Sequence, residues 1–350
     1  MIKQALVTGG AGFIGSHVVR TLLMRYPGIR VRVMHLPKDN LINLNDLDVE
    51  LVPGDITQRE DITRAIDGCD AVFHLAAIFA LWLPDESVMR RVNVDGSRNL
   101  FEACLASDTV KRVVYTSSYA VYAGQGHGAL CNEDSPFRLA HSYYSQTKYE
   151  GHQLAKSYAA RGLDLVIVCP AAPVGPGDYG PTPTGKLFID AVSAPVNMLL
   201  RTGSNYVDVR DCALGHVLAF EKGRQGESYI LGGHNHTMKE VVRKVEKVTG
   251  LNRPNLTLSP QLLMPSARLA LFVADHITHK PPLLTPADLK TLRMGLWADT
   301  RKAEDELDLP KRDLEESIRD ALLWFIEHGY LKKKVARRIR VKLSARGSPE

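Results

Sequence analysis

The chain has 350 residues, enough for one large domain or for two that share a cleft. Hydrophobic residues make up 45% and charged residues 24%, and the net charge of +5 gathers in residues 331–350, which excludes a nucleic-acid-binding body because no basic stripe with interleaved aromatics crosses the main domain. Cys69, Cys104, Cys131, Cys169 and Cys212 are scattered with no C-x-x-C pair, so neither a zinc site nor a disulfide framework is expected, and a reducing cytoplasm fits.

The chain opens KQALVTGGAGFIG. Residues 4–8 read as a short apolar strand, and the helical pattern of residues 16–25 follows; the strand leaves no room for a signal peptide. Gly10, Gly12 and Gly15 form G-x-G-x-x-G, while Gly9, Gly12 and Gly15 form the looser G-x-x-G-x-x-G. Between a strand and a helix, such glycines permit a sharp turn, close approach of a pyrophosphate and tight packing of helix on strand. The helix start offers free N–H groups to phosphate. A dinucleotide is therefore expected here.

Residues 29–36 alternate as a second strand. Its end carries His35, Leu36, Pro37 and Lys38 where NAD-binding folds place an acid. No carboxylate occupies that spot, and Lys38 with His35 suits a 2′-phosphate, pointing to NADP rather than NAD; the alternative is a solvated loop lysine. Residues 49–52 form a third strand, and the turn after it can bring Asp55 towards an adenine. Residues 62–67 are helical, and residues 70–75 form a fourth strand leading into Leu75, Ala76 and Ala77, small enough to leave space for a cofactor backbone. A helix over 92–106 and strands over 111–118 and 163–169 complete an alternating pattern, which predicts an α/β fold with a Rossmann-like doubly wound parallel sheet. From about residue 175 the composition shifts: residues 175–186 are Gly- and Pro-rich loop, followed by strands at 205–209 and 228–231 and helices at 212–222, 237–248 and 311–327. The expected organisation is a dinucleotide-binding domain at 1–175 to which some later segments return, a smaller α/β substrate domain at 176–330, and a basic tail at 331–350.

Tyr144 and Lys148 are four residues apart, which on a helix places them on one face. A phenol titrates near pH 10, and an adjacent ammonium favours its ionised form, bringing it towards acid–base use. Tyr143, five from Lys148, falls off that face. Ser117 and Ser118 end the preceding strand, where a hydroxyl can hold a substrate oxygen; Ser118 is the first choice and Ser117 the second.

Taken with Thr8-Gly9-Gly10-Ala11-Gly12-Phe13-Ile14-Gly15, His74-Leu75-Ala76-Ala77 and Val92-Asn93-Val94-Asp95-Gly96, this pattern resembles the extended short-chain dehydrogenase/reductase family of NAD-dependent epimerases and dehydratases, from residue 2 to about 331. The narrower likeness, carried by PVGPGDYGPTPTGK and GESYILGGHNHTMKE, is to dihydroflavonol-4-reductase-like and hopanoid-associated sugar-epimerase-like members. The resemblance implies a Ser118-Tyr144-Lys148 site with Asn93 as a helper in proton relay or local architecture. It implies Phe13 and Ile14 in the cofactor loop, Asp55 and Ile56 around adenine, and Pro170 and Pro173 near the nicotinamide. It also implies a homodimer built on the helices over 92–106 and 144–160. Where UDP-galactose 4-epimerase has a sugar-nucleotide Asn this chain has Ala172, and where it has a phosphate-binding Arg this chain has Ser204. Dihydroflavonol reductases often carry an Arg for the NADP phosphate where Leu36 stands.

The expected activity is hydride transfer between NADP or NAD and a ketone or secondary alcohol. The alternatives are an epimerase or dehydratase without net cofactor turnover, and a non-enzymatic cofactor-binding scaffold. No metal site is expected; His234, His236, His276 and His279 read as surface histidines. Phe79, Leu81, Trp82 and Leu83 either line the substrate pocket or pack beneath the second domain. No run is long enough to span a membrane, since residues 262–274 are broken by Pro265 and Arg268. In the tail, Val335, Ile339 and Leu343 share a stripe among cations; it is either a helix lying on an anionic inner-membrane face, which would suit a lipophilic substrate, or a disordered solubilising tail.

Overall fold

The structure, a computed structural model, describes residues 2–126 and 128–344. The first half alternates β1 (Gln4–Thr8), α1 (Phe13–Arg25), β2 (Arg30–His35), β3 (Glu50–Pro53), α2 (Arg59–Ile66) and β4 (Ala71–His74). A nearly continuous helical rod follows, made of α3 (Ser87–Arg90), a π-helical turn Arg91–Gly96 and α4 (Ser97–Leu105). Then come β5 (Arg112–Thr116), α5 (Tyr143–Ala160) and β6 (Leu165–Pro170). Every residue of β1, β4 and β6 is buried, as expected of parallel strands covered by helices on both faces.

The second half runs β7 (Ala172–Val174), α6 (Pro183–Ser193), β8 (Asn197–Leu200), β9 (Gly203–Asp208), α7 (Val209–Lys222), β10 (Ser228–Leu231), β11 (His234–Thr237), α8 (Met238–Thr249) and β12 (Asn255–Leu258). It ends with α9 (Met264–Val273), a π-helical turn Ala274–Thr278, α10 (Pro286–Met294), α11 (Arg301–Leu307), α12 (Leu314–Glu327) and α13 (Lys333–Ser344).

Seven parallel strands form the main sheet in the order β10-β6-β5-β4-β1-β2-β3. This is the doubly wound α/β sheet expected from the sequence, with β10 returning from the second half to pair beside β6. Residues of α7, β10 and α11 join the same apolar core, so the chain crosses between the two halves several times. The second core lies among α6, α8, α12 and α13, beside a three-stranded sheet β11-β9-β7 and a β12-β8 pair.

Several boundaries differ from the sequence reading. Residues 175–186 are not loop throughout, because Thr182 caps the Gly185 amide and Pro183 starts α6. The helix expected from 311 begins at Leu314, where Asp313 caps the Glu315 amide. The described part of the basic tail, residues 331–344, is ordered, and its stripe is not free to lie on a membrane. Residues 333–344 are helical, Ile339 is fully buried, and Val335 and Leu343 pack against the second core, leaving the cations outward. Residues 345–350 of that tail lie outside the described residues.

Candidate active site

The glycine loop joins β1 to α1 beneath the carboxyl end of the sheet. Gly9 sits at φ +69°, and a methyl group there would come within 2.7 Å of the Ala76 amide nitrogen. The loop therefore lies directly on the Leu75–Ala77 stretch that follows β4. Gly15 has no room either, since a Cβ would approach the Gly9 carbonyl oxygen to 2.2 Å. At Gly12 a Cβ would meet only that same oxygen, at 3.2 Å, so its other side is open to the crevice. Helix α1 has no side-chain cap and no acid in its first turn. Its positive end, reached through Phe13 and Ile14, is free to face an anion. An open glycine, an uncapped helix start and small flanking residues fit the pyrophosphate of a dinucleotide. Residues 176–177 bend over this helix: His17 donates Nε2–H to the Pro176 carbonyl at 2.8 Å, and Asn43 donates to the Gly177 carbonyl at 2.8 Å.

The two strand-end serines face opposite ways. Ser117 turns inward, with its Oγ 3.0 Å from His152 Nδ1. Ser118 caps the next turn by accepting from the Ala120 amide at 3.2 Å, and its hydroxyl also bears on the Tyr144 phenol, pulling that pKa down. Burial nevertheless dominates and raises Tyr144 to about 12. Lys148 is 3% exposed and donates from Nζ to the Thr116 carbonyl at 2.7 Å. Burial lowers its pKa to about 8. The expectation that the ammonium would set the phenol's pKa is thus not met. The helical spacing brings the residues to one face, but the lysine is turned onto the β5 backbone, and desolvation, which penalises the charged form of each group, sets both values. Of three ammonium donors two remain to meet a ribose.

Asn93 is buried within the π-helical turn, a feature that often marks functional sites. Its Oδ1 accepts from the Ile78 amide at 2.7 Å, and its Nδ2 donates to the Ile78 carbonyl at 3.0 Å and to Thr147 Oγ1 at 3.1 Å. Both amide protons and the oxygen are engaged, so its observed part is architectural: it fastens the strand-end segment to the helix bearing Tyr144.

A polar chain that the sequence did not reveal lies underneath. Ser97 donates to the Asn93 carbonyl at 2.7 Å, so it accepts from His74 Nε2–H at 3.0 Å, which leaves His74 Nδ1 to accept from Thr8 Oγ1 at 2.7 Å. His74 is one of three buried histidines whose pKa burial lowers from 6.5, with His74 and His152 at about 3 and His216 at about 4. As pH falls below 6.5 the unfolded chain takes up protons that the folded chain refuses, so stability declines down to the folded pKa values. Each histidine is expected to lose roughly 1–2 kcal/mol between pH ~6.5 and ~5. Together that is about 5 kcal/mol, the low end of a typical domain's whole stability of about 5–15 kcal/mol. Urea midpoints measured at neutral pH and near pH 5 check this; equal midpoints refute it.

At the far end of the crevice His35 is buried, with Nδ1–H donating to the Leu36 carbonyl at 2.8 Å, and Lys38 is exposed. A carboxylate does reach this point, contrary to the sequence reading. The chain turns back after β2, with the Asp39 amide on the Leu36 carbonyl and the Leu36 amide on Asp39 Oδ2, both at 2.9 Å. Asp55 accepts from the Thr57 amide at 2.9 Å, and Ile56 packs so close to Gly96 that a Cβ there would come within 2.8 Å of it. Pro170 ends β6, which pairs with the strand β5 that leads into the serines, and Pro173 lies in β7, which pairs with β9.

Residues 5–232 match the family described as NAD dependent epimerase/dehydratase. A dihydroflavonol 4-reductase-like protein of Synechocystis sp. is 35% identical over 333 residues, covering 93% of this chain and 95% of its own. Sterol demethylase protein B of Methylococcus capsulatus is 31% identical over 330 residues, covering 93% and 99%. The chain belongs to the NAD dependent epimerase/dehydratase family. Among solved structures, the dTDP-glucose 4,6-dehydratase of Streptomyces venezuelae, determined with NAD bound, superposes with a TM-score of 0.76 at 26% identity over 95% of this chain and 99% of that one. Ala172 offers no polar group, and Ser204 is already bonded to the Tyr119 hydroxyl at 2.7 Å. Above Tyr144, the ring of the half-exposed Phe79 meets the phenol ring edge-on, centroids 4.8 Å apart. Among the described residues no group of three or more His, Cys, Asp or Glu is placed to hold a metal ion.

Proposed function

We propose that the protein is an NAD(P)-dependent oxidoreductase that reduces a ketone, or oxidises a secondary alcohol, of apolar character. The observation that carries this reading is the meeting of Ser118 and Tyr144 at one strand end, with buried Lys148 one helical turn on. When bound, the nicotinamide supplies or takes the hydride. Ser118 would hold the substrate oxygen, and Tyr144 would give it a proton in reduction or remove one in oxidation. Lys148 would grip the ribose with the ammonium protons not taken by the Thr116 carbonyl. Phe79 would exclude water from the reacting centre.

The second reading, epimerisation or dehydration without net cofactor change, is supported by the match to the dTDP-glucose 4,6-dehydratase. Against it stand Ala172 and the engaged Ser204, which leave the two expected nucleotide-sugar contacts unfilled. Incubation with NADPH or NADH and a panel of hydrophobic ketones separates the two. Net consumption supports the reductase, and turnover of a sugar nucleotide at constant cofactor removes it.

Lys38 favours NADP, while Asp39 is engaged with the Leu36 amide. Lys38→Ala is expected to raise KM for NADP about fivefold, the scale of one exposed ion pair, and to leave NAD unaffected. Equal changes for both cofactors would count against it. The outer faces of the rod and α5 border a groove lined by Arg90, Arg98, Tyr149 and Glu150, where the proposed homodimer would pack; a monomer in sedimentation velocity removes that proposal.

A further inference from the structure

Helix α9 shows large apolar side chains on its outer face, and the π-helical turn after it adds Ile277. Ala267 and Ala274 face inward, 4% and 2% exposed, whereas Leu269, Phe272 and Ile277 face outward at 65%, 56% and 66%. Leu262 before the helix and Leu283 after it are 71% and 82% exposed. Leu269 and Phe272 share one stripe with His276, whose ring stacks on Phe272 at 4.5 Å. A helix on the surface of a free-standing protein normally turns polar residues outward; α9, MPSARLALFV, carries one charged residue, Arg268. Large contiguous apolar surface of this kind marks a contact site.

Cations outnumber carboxylates in the segment 262–294 that forms the patch. Arg268, Lys280 and Lys290 are exposed. Against them stand Asp275, which accepts from Trp82 Nε1 at 2.8 Å and lies near Glu86 of the neighbouring loop, and Asp288, which closes the capping box of Thr285. An apolar face fringed by free cations complements an anionic lipid surface. The patch also borders the cleft. The Trp82 bond ties it to the loop carrying Phe79, and His141 Nε2 lies 3.0 Å from Thr291 Oγ1, tying α10 to the segment just before Tyr144.

We propose that α9 and its flanking turns dock on an anionic bilayer, so that the mouth of the Tyr144 cleft opens against the lipid. The stripe of α13 is occupied within the protein, so membrane contact belongs to this cap and not to the basic tail. The docking does not depend on the redox reading above.

The test is cosedimentation of the full chain with vesicles of phosphatidylcholine alone and of phosphatidylcholine mixed with phosphatidylglycerol. Preferential binding to the mixed vesicles is expected. Leu269→Glu with Phe272→Glu should weaken partitioning by more than about tenfold, since two large side chains lose their burial in the lipid. Arg268→Glu with Lys280→Glu should abolish the preference for the anionic vesicles. Arg337→Glu with Arg338→Glu, on α13, should change neither. All six side chains are exposed, and unchanged melting temperatures confirm that the variants are folded. Three outcomes overturn the proposal: no binding to either vesicle, loss of binding only in the α13 variant, or conversion of a dimer to a monomer by the α9 variant without lipid, which would make the patch a self-interface.

Discussion

Tyr144→Phe is expected to lower turnover by about 10²–10⁴-fold, the usual contribution of a positioned acid–base group, with cofactor affinity nearly unchanged. In the proposed reaction the phenol is the group that would reach the substrate oxygen and exchange a proton with it. Ser118 has a hydroxyl of far higher pKa, and Lys148 is held on the Thr116 carbonyl. Removing one oxygen leaves the aromatic ring, and its edge-on contact with Phe79, in place, so the fold and the crevice persist. Because desolvation holds the partly buried phenol at about 12, the protein in this state keeps it protonated at neutral pH, which suits a proton donor in the reductive direction. Oxidation asks for the opposite form and should run faster as pH rises. Turnover measured with the best ketone from the panel, together with cofactor titration by fluorescence, decides the matter. A variant that turns over within about threefold of the parent would leave Tyr144 without the assigned part.

The portions of this site that were legible in the sequence are local ones. Three glycines between a strand and a helix, and a Tyr and a Lys one turn apart, lie within a few residues of each other, so spacing alone brings them together. Strand alternation separates Ser117 from Ser118, because neighbouring residues leave a sheet on opposite sides. The sequence could not say which side was the crevice until His152 was seen beneath Ser117. Contacts between distant segments were not legible. The His74–Ser97 and Asn93–Ile78 bonds join separate elements, and Trp82 meets Asp275 across 193 residues. Asp39 escaped notice because its carboxylate arrives through a reversal of the chain and not through its place along β2. The stripe on α13 was visible as a pattern, but a pattern does not name what it covers. Spacing likewise predicted that Lys148 would tune Tyr144, whereas burial, which has no signature in spacing, sets both pKa values.

The second large effect concerns the glycine loop, where two substitutions of the same size should fail for different reasons. Gly15→Ala places a methyl group 2.2 Å from the Gly9 carbonyl oxygen and 2.8 Å from Gly10 Cα. Both are backbone atoms that cannot swing aside, so the loop must open, at a cost of about 1–3 kcal/mol or more in stability. Gly12→Ala meets only the Gly9 carbonyl oxygen, at 3.2 Å, which must give by a few tenths of an ångström, and its φ of −72° with ψ of 175° suits any residue, so stability should fall by no more than about 1 kcal/mol. Its methyl group instead enters the side of the loop left open for the pyrophosphate. Charged hydrogen bonds at that point are worth about 1.5–3 kcal/mol, so cofactor affinity should fall by roughly tenfold to a hundredfold. Thermal melts and NADPH titration of the two variants give four readings. The dinucleotide assignment requires that the Gly12 variant lose binding while largely keeping its melting temperature, because a glycine retained only for folding would show the reverse.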